Sequence, residues 1–165
     1  MPWRVFAHPR ALFADATERF QEDRSRGSCR IPAMSRNWKE GTRILLVEDD
    51  ALTARLIRAR LEMENVEVLE ARNGHEALEL LKTRGADLIT TDLMMPAMDG
   101  YRLIREIREM PPPLGTVPIL VLSVHQGEED MVRCLSAGAD DYITKPFSPQ
   151  VYIEKLWRLY TRQQG

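Results

Sequence analysis

Five side chains that can do chemistry stand where short strand-like runs of the sequence end: Glu48, Asp49, Asp92, Ser123 and Lys145. Apolar runs of four to six residues are typical of buried strands. In open α/β sheets the carboxyl ends of parallel strands meet at one edge, and ligands bind there. A single aspartate after a strand is more often a turn former or a helix cap, so the meaning of Asp92 depends on the other four residues.

The carboxylates of this set predict a divalent cation. Three carboxylates packed together raise one another's pKa, and a hard cation such as Mg²⁺, which takes oxygen ligands, resolves that conflict. Ser123 adds a hydroxyl donor, and Lys145 adds a mobile positive charge suited to phosphate. Together these groups indicate phosphoryl transfer, in which a carboxylate can itself accept the phosphoryl group. The sequence has no G-x-x-x-x-G-K-[ST] loop, so nothing suggests nucleotide binding.

Predicted strands and helices alternate along the chain and would position these residues. The strands are predicted at 44–47, 67–71, 87–91, 118–123 and 141–145, and the helices at 52–64, from 74, from 99 to before 111, at 128–137 and at 148–162. Ser148 and Pro149 are typical of a helix start, and Gly138 of a left-handed helix end. This alternation predicts a doubly wound, flavodoxin-like α/β fold, a five-stranded parallel sheet in the order 2-1-3-4-5 with helices on both faces. In that order the three carboxylates converge at one end of the sheet.

Residues 1–41 differ from the rest of the chain in charge and in periodicity. Residues 1–40 carry eight Lys/Arg against five Asp/Glu, whereas the remainder is mildly acidic. A short helix is predicted within residues 9–20, and the polar stretch after it is typical of a linker. We expect residues 1–41 to be a flexible extension or an artefact of start-site choice, with translation beginning near Met34 in the second case. Residues 42–163 are expected to form the domain.

Composition narrows the classes of function. The chain is 44% apolar and 29% charged over 165 residues, which is typical of one soluble domain. No apolar run approaches the ~18 residues of a membrane span, and the N-terminus lacks a secretory signal, so no membrane partner is expected. Cys29 and Cys134 have no metal-ligand spacing, so a reduced, cytoplasmic chain is expected. Because the predicted domain is acidic, direct nucleic-acid binding is not expected.

Four stretches carry a resemblance to a known family. They are Leu46-Val-Glu-Asp-Asp50, Thr91-Asp-Leu-Met-Met-Pro-Ala-Met-Asp-Gly100, Ser123, and Ser136-Ala-Gly-Ala-Asp-Asp-Tyr-Ile-Thr-Lys-Pro-Phe147. In this order, at the ends of the predicted strands, they make residues 42–163 resemble the receiver domain of bacterial two-component response regulators. The resemblance implies a phosphorylation-activated signalling switch that catalyses only its own phosphorylation and slow dephosphorylation.

By this resemblance, Asp92 is the phosphoryl acceptor. Asp49 and the backbone carbonyl of Met94 would ligate Mg²⁺ together with Asp92, and Glu48 would act mostly through a bound water. Asp50 is not expected to be a ligand, and capping of the first helix is its predicted role.

The resemblance also implies roles near the last two strands. Ser123 and Lys145 would hold the phosphoryl oxygens, and the Lys145–Pro146 peptide is expected to be cis. Tyr142 would turn inward as Ser123 moves. This movement would couple phosphorylation to a two-state surface on the fourth helix, fifth strand and fifth helix.

Two positions beside the site depart from the best-known chemotaxis members of the family. Met94 cannot hydrogen-bond an attacking water, whereas His125 can. Our hypothesis is slow self-dephosphorylation, with His125 as the residue able to reverse it; two side chains that simply face solvent are the alternative. Val124 stands where a smaller residue is usual, so access to the acceptor is expected to be narrower.

The fourth helix, fifth strand and fifth helix are the expected partner surface. The candidates for salt bridges of the kind through which related regulators dimerise are Arg133, Asp140, Asp141 and Lys155. Val151 and Trp157 stand at positions that are often charged in that subfamily. They either form an apolar patch for a partner protein or pack locally.

The expected partners are proteins. They are a sensor histidine kinase or phosphotransfer protein, a downstream target and, through the surface just described, a second copy of the chain. Because the sequence ends at Gly165, no DNA-binding or enzymatic output domain is expected unless the sequence is a fragment of a longer regulator, and the output would be an interaction.

Other classes of function fit the sequence less well. A Mg²⁺-dependent toprim-type enzyme and a haloacid-dehalogenase-like phosphatase both need a second acid two residues after the first, and Met94 occupies that position. A receiver that works unphosphorylated as a scaffold is a further alternative. The intact Asp92, Lys145 and acid pair argue against it.

Overall fold

In the part of the chain that the computed structural model describes, residues 36–124 and 127–165, five strands form one parallel sheet. The strands are β1 (Arg43–Val47), β2 (Glu67–Ala71), β3 (Leu88–Asp92), β4 (Ile119–Ser123) and β5 (Asp141–Thr144). Their order is β2-β1-β3-β4-β5, which confirms the order predicted from the sequence. The helix predicted within residues 9–20, Cys29 and His125 lie outside the described residues.

Helices connect these strands. They are α1 (Ala51–Glu62), α2 (Gly74–Arg84), α3 (Gly100–Arg108), α4 (Glu128–Ala137) and α5 (Pro149–Gln164), with a 3₁₀ turn at Leu114–Thr116. Asp50 caps α1 by accepting a hydrogen bond from the amide of Thr53, as predicted. Ser148 caps α5 in the same way and is followed by Pro149 in the first turn. Gly138 ends α4 in the left-handed conformation with a φ of 109°.

Alternating residues of the strands divide the core into two layers, because successive strand side chains point to opposite faces. Leu45 and Val47 belong to a layer that contains α2, α3 and α4. Ile44 and Leu46 belong to a layer that contains α1 and α5. Helices thus cover both faces of the sheet, as predicted. Among the described residues, no helix is both long enough and apolar enough to cross a membrane.

The packing of α1 differs from the predicted packing at one position. In the sequence, Leu56, Ile57 and Leu61 are the apolar residues of this helix that predict one buried face. Ile57 and Leu61 are buried, but Leu56 is 66% exposed. The reason is geometric: residues four apart share a helix face, whereas adjacent residues are about 100° apart around the axis.

The folded unit begins before residue 42. Its compact part starts at Arg36. Trp38 packs against α5, with its ring centroid 5.0 Å from that of Trp157 and 4.9 Å from that of Tyr160. Residues 36–41, which the sequence pattern placed in the extension, are therefore held by side-chain contacts that no local periodicity reveals.

Candidate functional site

Three charged side chains meet where β1, β3 and β5 end. Glu48 follows β1, Asp92 is the last residue of β3, and Lys145 follows β5. The Nζ atom of Lys145 lies 2.7 Å from Oε2 of Glu48 and 2.5 Å from Oδ2 of Asp92. The ammonium group therefore bridges the two carboxylates.

Glu48, Asp49 and Asp92 form what we call the acidic cluster. One carboxylate oxygen of each residue lies within 4.8 Å of the others. Glu48 and Asp92 are only 3% and 8% exposed, whereas Asp49 is exposed to solvent. An all-oxygen donor set with one side open to water fits Mg²⁺, which keeps several of its waters when bound to protein.

Burial and the neighbouring charges act in opposite directions on the pKa values of Glu48 and Lys145. Burial raises the pKa of Glu48 above its usual 4.5, and the hydrogen bond from Lys145 offsets that rise only in part. Burial also disfavours the charge of Lys145, but the hydrogen bonds to Asp92 and Glu48 outweigh burial and raise the pKa of Lys145 above 10.5. Lys145 is therefore positively charged at neutral pH.

The turn after β3 holds Asp92 in place. Oδ1 of Asp92 accepts a hydrogen bond of 2.9 Å from the amide of Met94. The amide of Gly100 donates to the carbonyl of Leu93 at 2.9 Å, and a Cβ atom on Gly100 would overlap the carbonyl oxygen of Asp92. This close approach requires glycine at position 100. Met94 and Val124 are exposed, at 61% and 59%.

The predicted switch residues lie on β4 and β5. Ser123 directly follows Leu122, the residue that pairs with Asp92 in the sheet, and its side chain is fully buried. The carbonyl of Ser123 accepts a hydrogen bond of 2.7 Å from the amide of Lys145. Tyr142 is buried in the layer that contains α2, α3 and α4. The Lys145–Pro146 peptide is cis, as expected.

Three of the charged residues predicted for partner contacts form ion pairs within the chain. The Nζ atom of Lys155 lies 2.7 Å from Oδ1 of Asp141. The carboxylate of Asp140 lies 2.7 Å from the guanidinium of Arg108 in α3. The first ion pair joins α5 to β5, and the second joins α3 to the residue before β5.

The other predicted surface residues have different environments. The guanidinium carbon of Arg133 lies 4.4 Å from the ring centroid of Tyr101, a cation–π contact between α4 and α3. Trp157 is partly buried and packs on Trp38, which is the local packing that the sequence left open. Val151 is 48% exposed.

Sequence reasoning missed two residues in the layer that contains α1 and α5. Tyr152 of α5 and Thr90 of β3 have side-chain oxygens that are fully buried. The signal that could have found them is a polar group beside buried aliphatic residues, next to Ile89 in β3 and next to Ile153 in α5. Their position relative to the acidic cluster could come only from the fold.

The strand order and the acidic cluster define a class of protein. The chain belongs to the response regulator receiver domain family, whose model matches residues 44–156. Receiver domains are switches in phosphorylation-based signalling rather than classical enzymes, and they generally bind Mg²⁺ at an acidic pocket. Response regulators interact with histidine kinases and with downstream targets.

Curated relatives are similar to the chain over its domain. The transcriptional regulatory protein ResD of Bacillus subtilis is 42% identical over 121 residues, which are 73% of this chain and 49% of ResD. The cell cycle response regulator CtrA of Brucella ovis is 40% identical over 125 residues, which are 74% of this chain and 52% of CtrA. The chain thus spans about half the length of these relatives.

Solved structures share the fold. The receiver domain of the Francisella response regulator 1452 has a TM-score of 0.69 and 33% identity, and the match covers 74% of this chain and 99% of that one. The receiver domain of the sensor histidine kinase PA1611 from Pseudomonas aeruginosa PAO1 has a TM-score of 0.67 and 34% identity, with 73% and 98% covered. In the latter structure a magnesium ion is coordinated in the active site cleft.

Proposed function

We propose that this chain is a signalling switch that accepts a phosphoryl group on Asp92 in the presence of Mg²⁺. The donor is a sensor histidine kinase, a phosphotransfer protein or a small phosphodonor. The observation that carries the proposal is the bridge that the Lys145 ammonium forms between Glu48 and Asp92. This bridge brings together a carboxylate nucleophile, a cation site and a mobile positive charge. Phosphoryl transfer to a carboxylate uses all three.

In the proposed reaction an oxygen of Asp92 forms a bond to phosphorus. The bond from phosphorus to the nitrogen or oxygen of the donor breaks, and the leaving group keeps that electron pair. The product is an acyl phosphate, whose oxygens Lys145 and Ser123 contact through the ammonium and the hydroxyl.

The cation site belongs to the same proposal. Asp49, Asp92 and the backbone carbonyl of Met94 would hold Mg²⁺, and Glu48 would act through a bound water. When bound, Mg²⁺ neutralises negative charge on the phosphoryl oxygens. The fit of the acidic cluster to an oxygen-loving cation supports this assignment.

The output we propose is a change of the surface formed by α4, β5 and α5, through Ser123 and Tyr142. A downstream protein reads that surface in the cytoplasm, and neither nucleic acid nor a membrane is part of the proposal. A homodimer through this surface would require Lys155 and Asp141 to exchange the partner that each has within the chain. We therefore favour a downstream protein over a second copy.

We further propose that the phosphoryl group is long-lived, because the exposed side chain of Met94 cannot hydrogen-bond an attacking water. Met94→Asn should shorten the half-life of the phosphorylated chain by about tenfold or more, since a polar side chain there can orient water. Met94→Leu is the matched control and should leave the half-life unchanged. The measurement is loss of phosphoryl mass with time after the donor is removed.

The role proposed for His125 is tested in the same assay. If the wild type is short-lived, His125→Ala should lengthen its half-life. A short half-life that His125→Ala does not change would contradict the hypothesis.

Beryllofluoride, a mimic of the phosphoryl group, tests the proposed function without a kinase. With Mg²⁺ it should shift amide resonances of α4 and β5 in the wild type, but not in Asp92→Asn. Asp99→Asn, which changes the cap of α3 outside the acidic cluster, is the matched control and should respond like the wild type. A wild type that does not respond, or a response that survives Asp92→Asn, would contradict the proposal and favour an unphosphorylated scaffold.

A further inference from the structure

The charged residues of the site adjoin the core layer that contains α1 and α5. Asp92 stands two positions after the buried residue Thr90 in β3, and Lys145 directly follows β5. Side chains two apart in a strand point to the same face. A pocket beside α1 is lined by Lys145, Phe147 and Tyr152, so these three side chains lie close together.

Tyr152 is a large, fully buried side chain of this layer. It lies in the first turn of α5, is 1% exposed, and is among the largest fully buried side chains of the described residues. Its ring stacks on Phe147, with the centroids 5.4 Å apart and the planes inclined by 24°. Phe147 stands two residues after Lys145, in the segment that joins β5 to α5. The stack thus connects the loop that carries Lys145 to a fully buried side chain of α5.

The hydroxyl of Tyr152 contributes less than the ring to the positioning of neighbouring atoms. It lies near the hydroxyl of Thr90, yet among the described residues neither of these two buried groups has a partner in hydrogen-bond geometry. A hydroxyl that makes no well-formed hydrogen bond does little to fix the position of the atoms around it. The contact that positions other atoms is therefore the aromatic stack.

We propose that Tyr152 is a positioning residue for phosphoryl transfer: its ring, stacked on Phe147, sets where the loop after β5 holds Lys145. This inference rests on the proposed function of Asp92. Tyr152 contacts neither the phosphoryl group nor the cation; it acts through Phe147 and the loop. Mispositioning a charged group by about 1 Å is enough to slow a reaction that depends on positioning and charge neutralisation.

The test compares variants that keep or remove the ring. Tyr152→Leu keeps an apolar side chain but loses the stack, and should slow phosphorylation by acetyl phosphate by about tenfold or more at saturating Mg²⁺. Tyr152→Phe keeps the stack and should phosphorylate at a rate within about twofold of the wild type. Phe147→Leu, changed from the loop side, should reproduce the slow rate. Tyr152→Leu combined with Phe147→Leu should be no slower than either single variant, since both remove one interaction.

A control separates positioning from loss of stability. Leu159→Ala removes a buried side chain from the same helix, two turns away from the stack. It should lower the melting temperature without changing the rate. A slow Leu159→Ala, a slow Tyr152→Phe, or a Tyr152→Leu and a Phe147→Leu that both react at the wild-type rate would each overturn the proposal.

A second readout does not depend on the chemistry of Asp92. The ¹³Cε resonance of Lys145 reports the environment of the ammonium group, and Tyr152→Leu should shift it in the unphosphorylated chain while Tyr152→Phe should not. If the wild type is never phosphorylated but this shift is present, the proposed function fails and the positioning contact stands. If the wild type is phosphorylated and the resonance does not move, the positioning role fails alone.

Discussion

At the scale of single residues, Lys145 is the counter-ion of two buried carboxylates in this structure. Both carboxylates are buried, and a nearby cation favours the charged form of a buried carboxylate. The Lys145 ammonium supplies that charge at 2.7 and 2.5 Å. A cation bound to the acidic cluster would share this role and would leave Lys145 able to contact a phosphoryl group. Metal binding and phosphoryl binding are thus linked through one side chain.

This linkage predicts the behaviour of Lys145→Met. The variant should lose about 1–3 kcal/mol of unfolding free energy, because the buried carboxylates lose a charged hydrogen-bond donor. Mg²⁺ should restore part of the loss by binding only the folded state, so it should raise the melting temperature more in the variant than in the wild type. Lys82→Met on the exposed face of α2 is the control. Equal Mg²⁺ shifts in Lys145→Met and the wild type would be the contrary result.

Glu48 predicts how binding of Mg²⁺ depends on pH. Protons compete with the cation for this carboxylate, and burial raises the pKa of Glu48 above 4.5 in the folded chain. As the pH is lowered, affinity for Mg²⁺ should therefore begin to fall while the pH is still above 4.5. Calorimetric titration at a series of pH values measures this. Glu48→Gln should bind more weakly and lack this step, and a wild type whose affinity falls only below pH 4.5 would disagree.

At the scale of elements, Arg108 fastens the end of α3 to two strands. Its guanidinium donates to the carbonyls of Gly115 and Val117 at 3.0 and 2.8 Å, before β4. It also donates to the carbonyl of Gly138 at 2.8 Å and to the carboxylate of Asp140 at 2.7 Å, before β5. The planar fork of arginine can reach all four acceptors, which the single ammonium of lysine cannot.

Arg108→Lys should therefore lower the free energy of unfolding by about 1.5–3 kcal/mol, since buried carbonyls lose their donors. The denaturation midpoint in urea measures the loss. Arg102→Lys, at an exposed ion pair with Glu106 on the same helix, is the matched control and should change stability by less than about 0.5 kcal/mol. Similar losses in the two variants would show that Arg108 has no special role.

The elements and the acidic cluster could be predicted because they depend on local pattern and on topology. Apolar runs alternate with amphipathic ones, and parallel strands leave few arrangements, so strand ends far apart in sequence must meet. The partner of Asp140 could not be predicted, because it depends on where α3 ends relative to β4. The contacts of Trp38 could not be predicted either, because residues 36–41 show no helix or strand periodicity. The stack of Tyr152 on Phe147 depends on how α5 leaves its loop.

At the scale of the whole molecule, charged residues of the surface proposed for output already have partners within the chain. Asp141 and Lys155 pair with each other, and Arg133 lies on Tyr101. Such pairs must rearrange before they can bind another chain, so any association through them competes with contacts already made. Exposed Val151 has no such competing ion pair and is available to a partner without that cost. This arrangement favours a downstream partner that contacts apolar side chains.

Chemical trapping tests whether Asp92 carries the phosphoryl group. The wild type is incubated with Mg²⁺ and acetyl phosphate and then reduced with borohydride, which converts the acyl phosphate of an aspartate into homoserine. Peptide mass spectrometry then locates the modified residue. Homoserine is expected at position 92 and nowhere else, and only when Mg²⁺ is present. Homoserine at Asp49 or Asp50, or a phosphoryl group that borohydride does not remove, would contradict it.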